Sequence, residues 1–162
     1  MGAHELSALL WRERELLELL VFKLEEEQLL LITAGKARWL QFATREVEQV
    51  MERVREAGLA RTVEAASVAS EWGAEDDATL RQLAAHAPDE TWAGILDAHL
   101  AAMTALTSQI KELRDVNEQF LRAAARATQE TLAGVNAEPI TYDSAGASDA
   151  AVVGAQLFDR TL

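Results

Sequence analysis

The sequence predicts an all-α fold, an elongated antiparallel bundle of three or four helices with long first and last helices. Apolar residues recur at steps of three and four along most of the chain, which is the period of a helix with one buried face. No stretch shows the period of two that a half-buried strand requires. The 162 residues suit one domain, and 49% of them are apolar, enough for a core.

The first element is predicted from leucines spaced seven residues apart. Leu10, Leu17, Leu24 and Leu31 form this repeat, and the apolar stripe resumes after the TAGKAR stretch, from Leu40 to Ala57. This pattern predicts one long helix, or two collinear helices joined near Gly35. Gly58 is predicted to end it, because glycine favours the C-terminal cap of a helix.

The middle of the chain predicts shorter elements. Residues 62–72 (TVEAASVASEW) indicate a short amphipathic helix closed by Gly73, and residues 77–87 (DATLRQLAAHA) indicate another, capped by Asp76 or Asp77. One bent helix is the alternative. Pro88 then interrupts the chain.

The last element has the longest stripe in the sequence. It begins at Asp89 or Glu90 and continues to Gly134, which predicts a helix roughly 65 Å long at 1.5 Å per residue. Such a helix needs a partner of similar length, and the first element supplies one. We therefore predict a bundle domain over residues 1–137 and a tail over 138–162 that is flexible or folds back on the bundle.

Charge and composition exclude several classes of partner. The net charge of −12, from 27 acidic and 15 basic residues, disfavours nucleic acid and anionic lipid. No apolar run is long enough to cross a bilayer, so no membrane insertion is expected. Glu5, Glu13 and Glu15 interrupt what would be the apolar core of a signal peptide, and the chain has no Cys. A cytoplasmic location is predicted.

The sequence lacks the motifs of an enzyme. Carboxylate-bridged metal bundles need a Glu three residues before a His. In this sequence the residue three before His86 is Leu83, and the residue three before His99 is Leu96. No nucleophile elbow or Gly-rich phosphate loop is present. We predict no catalytic residue, no metal and no cofactor, and we expect His99 to be a hydrogen-bonded core or boundary residue rather than a ligand. A metal-carboxylate enzyme is the rival hypothesis, which elemental analysis would test.

The last helix carries features typical of an interaction surface. Asn117 interrupts the apolar stripe, and Phe120 and Leu121 precede the Ala-rich stretch LRAAARATQETLAG. Small residues allow another helix to approach closely, so this region is a candidate groove for a partner helix. Two alternatives stay open: Asn117 is a satisfied core amide, and the alanines only reflect helix propensity.

In the order and spacing of these features the sequence resembles the FlgN-type flagellar export chaperones. The shared features are the Leu-rich first helix, the NEQFL element at residues 117–121 and the TYDSAG element at residues 141–146. The resemblance covers nearly the whole chain. The Ala-rich middle, flanked by Trp72 and Trp92, matches no signature of that family.

The resemblance implies a non-enzymatic, cytoplasmic chaperone of flagellar type III secretion. Such chaperones bind the C-terminal helical segments of hook-filament junction proteins, prevent premature assembly and deliver these clients to the cytoplasmic domain of the export gate. The client-binding residues expected on the last helix are Leu113, Val116, Asn117, Phe120, Leu121 and Ala124. By the same resemblance, Tyr142, Asp143 and Gly146 are expected to dock on the export gate.

The apolar residues of the tail need a separate hypothesis. Val152, Val153, Leu157 and Phe158 predict a short amphipathic helix that covers the groove until a client displaces it, or a tail packed permanently on the bundle. An exposed groove also permits a homodimer. The alternative function is a coiled-coil structural or adaptor protein unrelated to secretion, which predicts a symmetric oligomer.

Overall fold

A computed structural model describes residues 2–137 as four helices. They are α1 (Gly2–Ile32), α2 (Ala37–Trp72), α3 (Leu80–Ala85) and α4 (Glu90–Ala137), and this part of the chain contains no strand. The predicted all-α fold with long first and last helices is confirmed. The predicted tail, residues 138–162, lies outside the described residues.

The first predicted element is a helical hairpin. The chain reverses direction between α1 and α2, where Gly35 adopts a φ of 79° that residues with a side chain rarely take. Arg61 on α2 bonds Glu13 on α1, whereas Glu46, earlier on α2, bonds Lys23, later on α1. The prediction of one long helix or two collinear helices is therefore wrong. An apolar period shows which side of a helix is buried but not the direction in which the chain continues.

α2 also extends beyond its predicted end. Gly58 lies inside α2 and does not end it, because the buried stripe continues from Ala57 to Val68 and Ala69 against α1. The helix ends at Trp72 and is capped by Gly73, as predicted; Gly73 has a φ of 71°, and the N–H of Ala74 donates to the carbonyl of Ala69 at 2.8 Å. Residues 62–72 are thus the end of α2 rather than a separate helix.

The short helix α3 begins later than predicted. Its cap is Thr79, whose hydroxyl accepts from the backbone N–H of Gln82 while the Gln82 side chain accepts from the N–H of Thr79. This reciprocal pair satisfies two free donors, so Thr79 caps α3 in place of Asp76 or Asp77. Residues 73–79 separate α2 from α3, which also rules out one bent helix.

The start of α4 agrees with its prediction, whereas its end lies farther along. Asp89 accepts from the backbone N–H of Trp92 at 2.8 Å, which caps the helix. The helix includes Gly134 and ends at Ala137. The chain divides into two units between Leu121 and Arg122, and their described parts are residues 2–121 and 122–137.

The first unit is an up-down-up bundle. Asn117 bonds the carbonyl of Leu24 and His99 lies beside Ser7, so α4 runs parallel to α1 and antiparallel to α2. Two apolar clusters fill the bundle. One contains Leu6, Leu10, Val68, Ala69, Leu83, Ala84 and Leu96, and the other contains Leu17, Leu20, Leu24, Val47, Val50 and Ile110. Full burial of one such leucine contributes ~1.5–3 kcal/mol. Leu10, Leu17 and Leu24 of the predicted repeat are buried in these clusters, whereas Leu31 is only partly buried.

In the second unit, the described part is the end of α4, residues 122–137. Its side chains are exposed throughout, including Leu132 at 59% and Val135 at 68%. None of the described helices is both long and apolar enough to span a bilayer.

Candidate functional site

A buried polar layer crosses the first unit and joins its three long helices. The amide nitrogen Nδ2 of Asn117 donates to the backbone carbonyl of Leu24 at 2.9 Å and to Oε1 of Glu27 at 3.1 Å. The hydroxyl of Thr44 donates to Oε2 of Glu27 at 2.9 Å. Asn117 is 2% exposed and Glu27 5%. We refer to Asn117, Glu27 and Thr44 as the polar layer.

The chemistry of the polar layer determines the orientation of the Asn117 amide. Both partners of Asn117 are oxygen acceptors, so the atom that faces them must be the nitrogen. Its Oδ1 is buried and has no hydrogen-bond partner among the described residues. Asn117 is therefore a core amide, as one alternative predicted, but only its donor is satisfied.

The polar layer also marks the end of the apolar core. The large apolar side chains that are fully buried all lie between this layer and the α3 end of the bundle. Beyond it, the exposed apolar side chains of the first unit are Leu29, Ile32, Trp39, Phe42, Phe120 and Leu121. The predicted stripe of α4 is thus covered as far as Asn117 and open from Phe120 onward.

A groove of about 680 Å³ lies between α2 and α4 beside the polar layer. Leu24, Glu27 and Asn117 contribute to its floor. The remaining lining residues come from α2 (Thr44, Val47, Glu48, Met51 and Arg55) and α4 (Thr107, Ile110, Lys111, Arg114, Asp115, Glu118 and Leu121). The groove therefore combines apolar side chains (Leu24, Val47, Met51, Ile110 and Leu121) with the polar layer and with charged residues of α2 and α4, and interfaces of proteins commonly mix such groups.

The predicted client-binding residues occupy different positions around α4. Leu121 lines the groove against α2, whereas Leu113 and Val116 line a smaller groove of about 290 Å³ that includes Gln28 of α1. Phe120 is 40% exposed, and Val116 and Leu121 are each 37% exposed. Leu113 is only partly accessible because it packs on the core. The structure thus leaves three large apolar side chains of the predicted set open to a partner.

The remaining predicted site residues are Ala124 and those of the tail. Ala124 is an exposed residue of the second unit. The predicted gate-docking residues Tyr142, Asp143 and Gly146 and the tail residues Val152, Val153, Leu157 and Phe158 lie outside the described residues.

Charged contacts between α1 and α2 were not predicted from the sequence. Oε2 of Glu13, a residue 6% exposed, accepts from Nε of Arg61 at 2.6 Å. Lys23 donates to Glu46 at 2.7 Å and to Glu26 at 3.2 Å, and the hydrogen bond to Glu46 is the main reason its pKa is raised. Glu13 and Arg61 are 48 positions apart, so local spacing carries no signal of their contact.

His99 occupies the core position predicted for it and is 2% exposed. Its Nδ1 lies 3.5 Å from Nη1 of Arg14 and its Nε2 lies 3.4 Å from the hydroxyl of Ser7. Because arginine can only donate, Nδ1 is the acceptor and the ring is neutral. The Trp11 ring packs edge to face against the imidazole, with 5.2 Å between the two ring centres. Burial, and then the positive charge of Arg14, lower the pKa of His99.

This lowered pKa predicts a loss of stability in mild acid. Below the unfolded pKa of about 6.5, the unfolded chain binds a proton at His99 that the folded chain does not. The free energy of unfolding should therefore fall as pH decreases from 6.5 toward the folded pKa, by up to about 1.4 kcal/mol per pH unit from this residue. Urea unfolding between pH 5 and 8 should show this component in the wild type and not in His99→Gln. Parallel pH profiles for the two proteins would contradict the prediction.

Within residues 2–137, no cluster of three or more His, Asp or Glu side chains is arranged to hold a metal ion.

Comparison with models of known protein families gives a match over most of the chain. A family model described as "FlgN protein" matches residues 1–150. The chain belongs to the FlgN family. It is thus a flagellar export chaperone, in a family that acts by binding rather than by catalysis and whose members bind hook-filament junction proteins. No curated protein sequence and no solved structure shows a significant match to this chain.

Proposed function

We propose that this FlgN-family chaperone binds the C-terminal helical segments of hook-filament junction proteins on the α4 surface at and after the polar layer. The client surface comprises Val116, Phe120 and Leu121, with Leu113 and Asn117 beneath it and Ala124 in the following turns. Binding keeps the client from assembling in the cytoplasm. The chaperone then delivers the client to the cytoplasmic domain of the export gate.

The observation that carries this proposal is the change in burial along one stripe of α4. The stripe is buried at Ile110 and Asn117 and becomes 40% exposed at Phe120, although its apolar character continues. A helix that presents large apolar side chains to water without a partner loses the free energy of burying them. An amphipathic client helix laid along this stripe would recover that free energy without any covalent step.

A client of this kind also explains why the surface is open in the free protein. Terminal segments that fold only on assembly expose an apolar stripe of their own, which promotes aggregation in water. Burying both stripes against each other protects the client reversibly. The buried Oδ1 of Asn117, which has no partner among residues 2–137, lies on the same side of α4 as Leu121, one helical turn away.

The C-terminal residues supply the second half of the proposal. We assign residues 1–137 to the client-binding bundle and residues 138–162 to a docking tail, in which Tyr142, Asp143 and Gly146 contact the export gate. A tyrosine anchors a weak contact at low entropic cost because its ring is rigid and its hydroxyl is polar. Val152, Val153, Leu157 and Phe158 would cover the client surface until a client displaces them.

The client half is tested by titrating the full chain with C-terminal fragments of hook-filament junction proteins from the same genome. The wild type should bind one fragment saturably, and Phe120→Asp should weaken binding by about 30-fold, the equivalent of ~2 kcal/mol for an aromatic anchor. The matched control is Phe22→Asp, which makes the same substitution at a 57% exposed position on α1 and should change Kd less than about twofold. Unaltered affinity in a folded Phe120→Asp protein would refute the assignment.

The gate half is tested on the same proteins with the purified cytoplasmic domain of the export gate. Tyr142→Ala should weaken gate binding and leave client affinity unchanged. Phe120→Asp should weaken client binding and leave gate affinity unchanged. Each variant is thus the control for the other. If both variants lose both activities, the two sites are not separate and the assignment of the tail is wrong.

A further inference from the structure

The end of the α1–α2 hairpin is an exposed apolar surface that the proposed client site does not use. Every residue from Ile32 to Trp39 is exposed. Four large apolar side chains surround the turn, with exposures of 61% for Leu29, 57% for Ile32, 45% for Trp39 and 48% for Phe42. The centres of the Trp39 and Phe42 rings lie 5.8 Å apart, with the ring planes inclined at 48°. We refer to residues 28–45 as the hairpin end.

The charge of the hairpin end is opposite to that of the whole chain. Residues 28–45 are the longest stretch of the sequence without Asp or Glu, and they carry Lys36, Arg38 and Arg45. The guanidinium of Arg38 lies 4.8 Å from the centre of the Trp39 ring. Of the two flanking acids, Glu27 is buried in the polar layer and Glu46 pairs with Lys23. A locally positive, aromatic surface thus stands on a protein whose net charge is −12.

The apolar side chains of the hairpin end lie on more than one side of it. Phe42 is one turn from Glu46, on the side of α2 that bonds Lys23 of α1. Ile32 is one turn from Gln28, on the side of α1 that borders α4. A single partner helix would cover one of these sides, whereas a fluid lipid interface can surround both. Tryptophan, phenylalanine and long basic side chains are the residues that such an interface favours.

We propose that the hairpin end contacts the surface of an anionic phospholipid bilayer. Trp39, Phe42 and Ile32 enter the headgroup region, and Lys36 and Arg38 lie beside the phosphates. The net charge of the whole chain predicts repulsion from such a surface. At physiological salt, however, charges beyond about 8 Å are screened, so the charges nearest the lipid dominate. The contact is therefore weak, reversible and sensitive to salt.

The test is co-sedimentation of the full chain with vesicles of phosphatidylcholine alone or with one-third phosphatidylglycerol, in low and physiological salt. We expect at least about tenfold stronger binding to the anionic vesicles, with the preference reduced by salt. Phe42→Gln should weaken this binding several-fold. Its matched control is Phe22→Gln, the same change at an exposed α1 position about 15 Å along the helix from Ile32.

A second pair of variants separates local from total charge. Lys36→Glu with Arg38→Glu should abolish the preference for anionic vesicles. Arg12→Glu with Arg53→Glu makes the same change in net charge at exposed positions outside the hairpin end. This control pair should preserve the preference for anionic vesicles. No preference in the wild type, or equal losses in both pairs, would overturn the proposal. It would also be overturned if Phe42→Gln abolished self-association or client binding while the wild type bound no vesicles, since the hairpin end would then be a protein interface.

Discussion

Replacing Asn117 with Asp is expected to destabilise the protein by roughly 3–5 kcal/mol at neutral pH. The amide nitrogen of Asn117 donates to two acceptors, the carbonyl of Leu24 and the carboxylate of Glu27. An aspartate at this position would lose both hydrogen bonds and place a second negative charge at hydrogen-bond distance from Glu27 in a buried layer. The two carboxylates cannot both ionise there without a large cost, so the pKa of the pair should rise.

The measurement is chemical unfolding of Asn117→Asp from pH 4 to 8. The destabilisation should be full above the raised folded pKa and diminish as pH falls through it, because a shared proton restores one hydrogen bond. Gln119→Asp is the matched control, since it adds the same charge at an exposed position on α4 and should change stability by less than ~0.5 kcal/mol. If the two variants unfold alike, the polar layer does not stabilise the bundle in the way described.

The second large effect is expected at the buried pair between α1 and α2. Arg61→Met should destabilise the protein by about 3 kcal/mol because it leaves the carboxylate of Glu13, 6% exposed, without its cationic partner. The value lies at the low end for a buried pair, since the Arg61 side chain is 31% exposed and water can partly replace it.

A double replacement distinguishes the cost of an orphaned charge from the strength of the pair. Glu13→Met with Arg61→Met removes both charges and should recover most of the lost stability, because apolar side chains of similar size often substitute well for a buried pair. Arg55→Met breaks the exposed pair with Glu52 and should cost less than ~1 kcal/mol. Additive losses in the Glu13 and Arg61 double variant would show that the two residues act separately.

Several features of this protein follow from its sequence alone. The steps of three and four define the helical class and the buried side of each helix, because only one period keeps the apolar side chains on one face. Gly73 and Asp89 mark the end of α2 and the start of α4, since their roles depend on a few neighbouring backbone groups. The NEQFL and TYDSAG elements, in their order and spacing, indicated the FlgN family.

Other features were decided only by the tertiary structure. A helical period carries no direction, so the reversal at Gly35 and the continuation of α2 through Gly58 depended on how α1 and α2 pack against each other. Asn117 finds its partners 90 and 93 positions away, and Glu13 finds Arg61 48 positions away. The stripe of α4 keeps the same spacing of three and four residues on both sides of Asn117, yet it packs on the bundle before that residue and is exposed after it. Periodicity determines which side chains form the apolar face of a helix. Only the packing of helices that are distant in sequence determines which of these side chains are buried and which remain exposed to a partner.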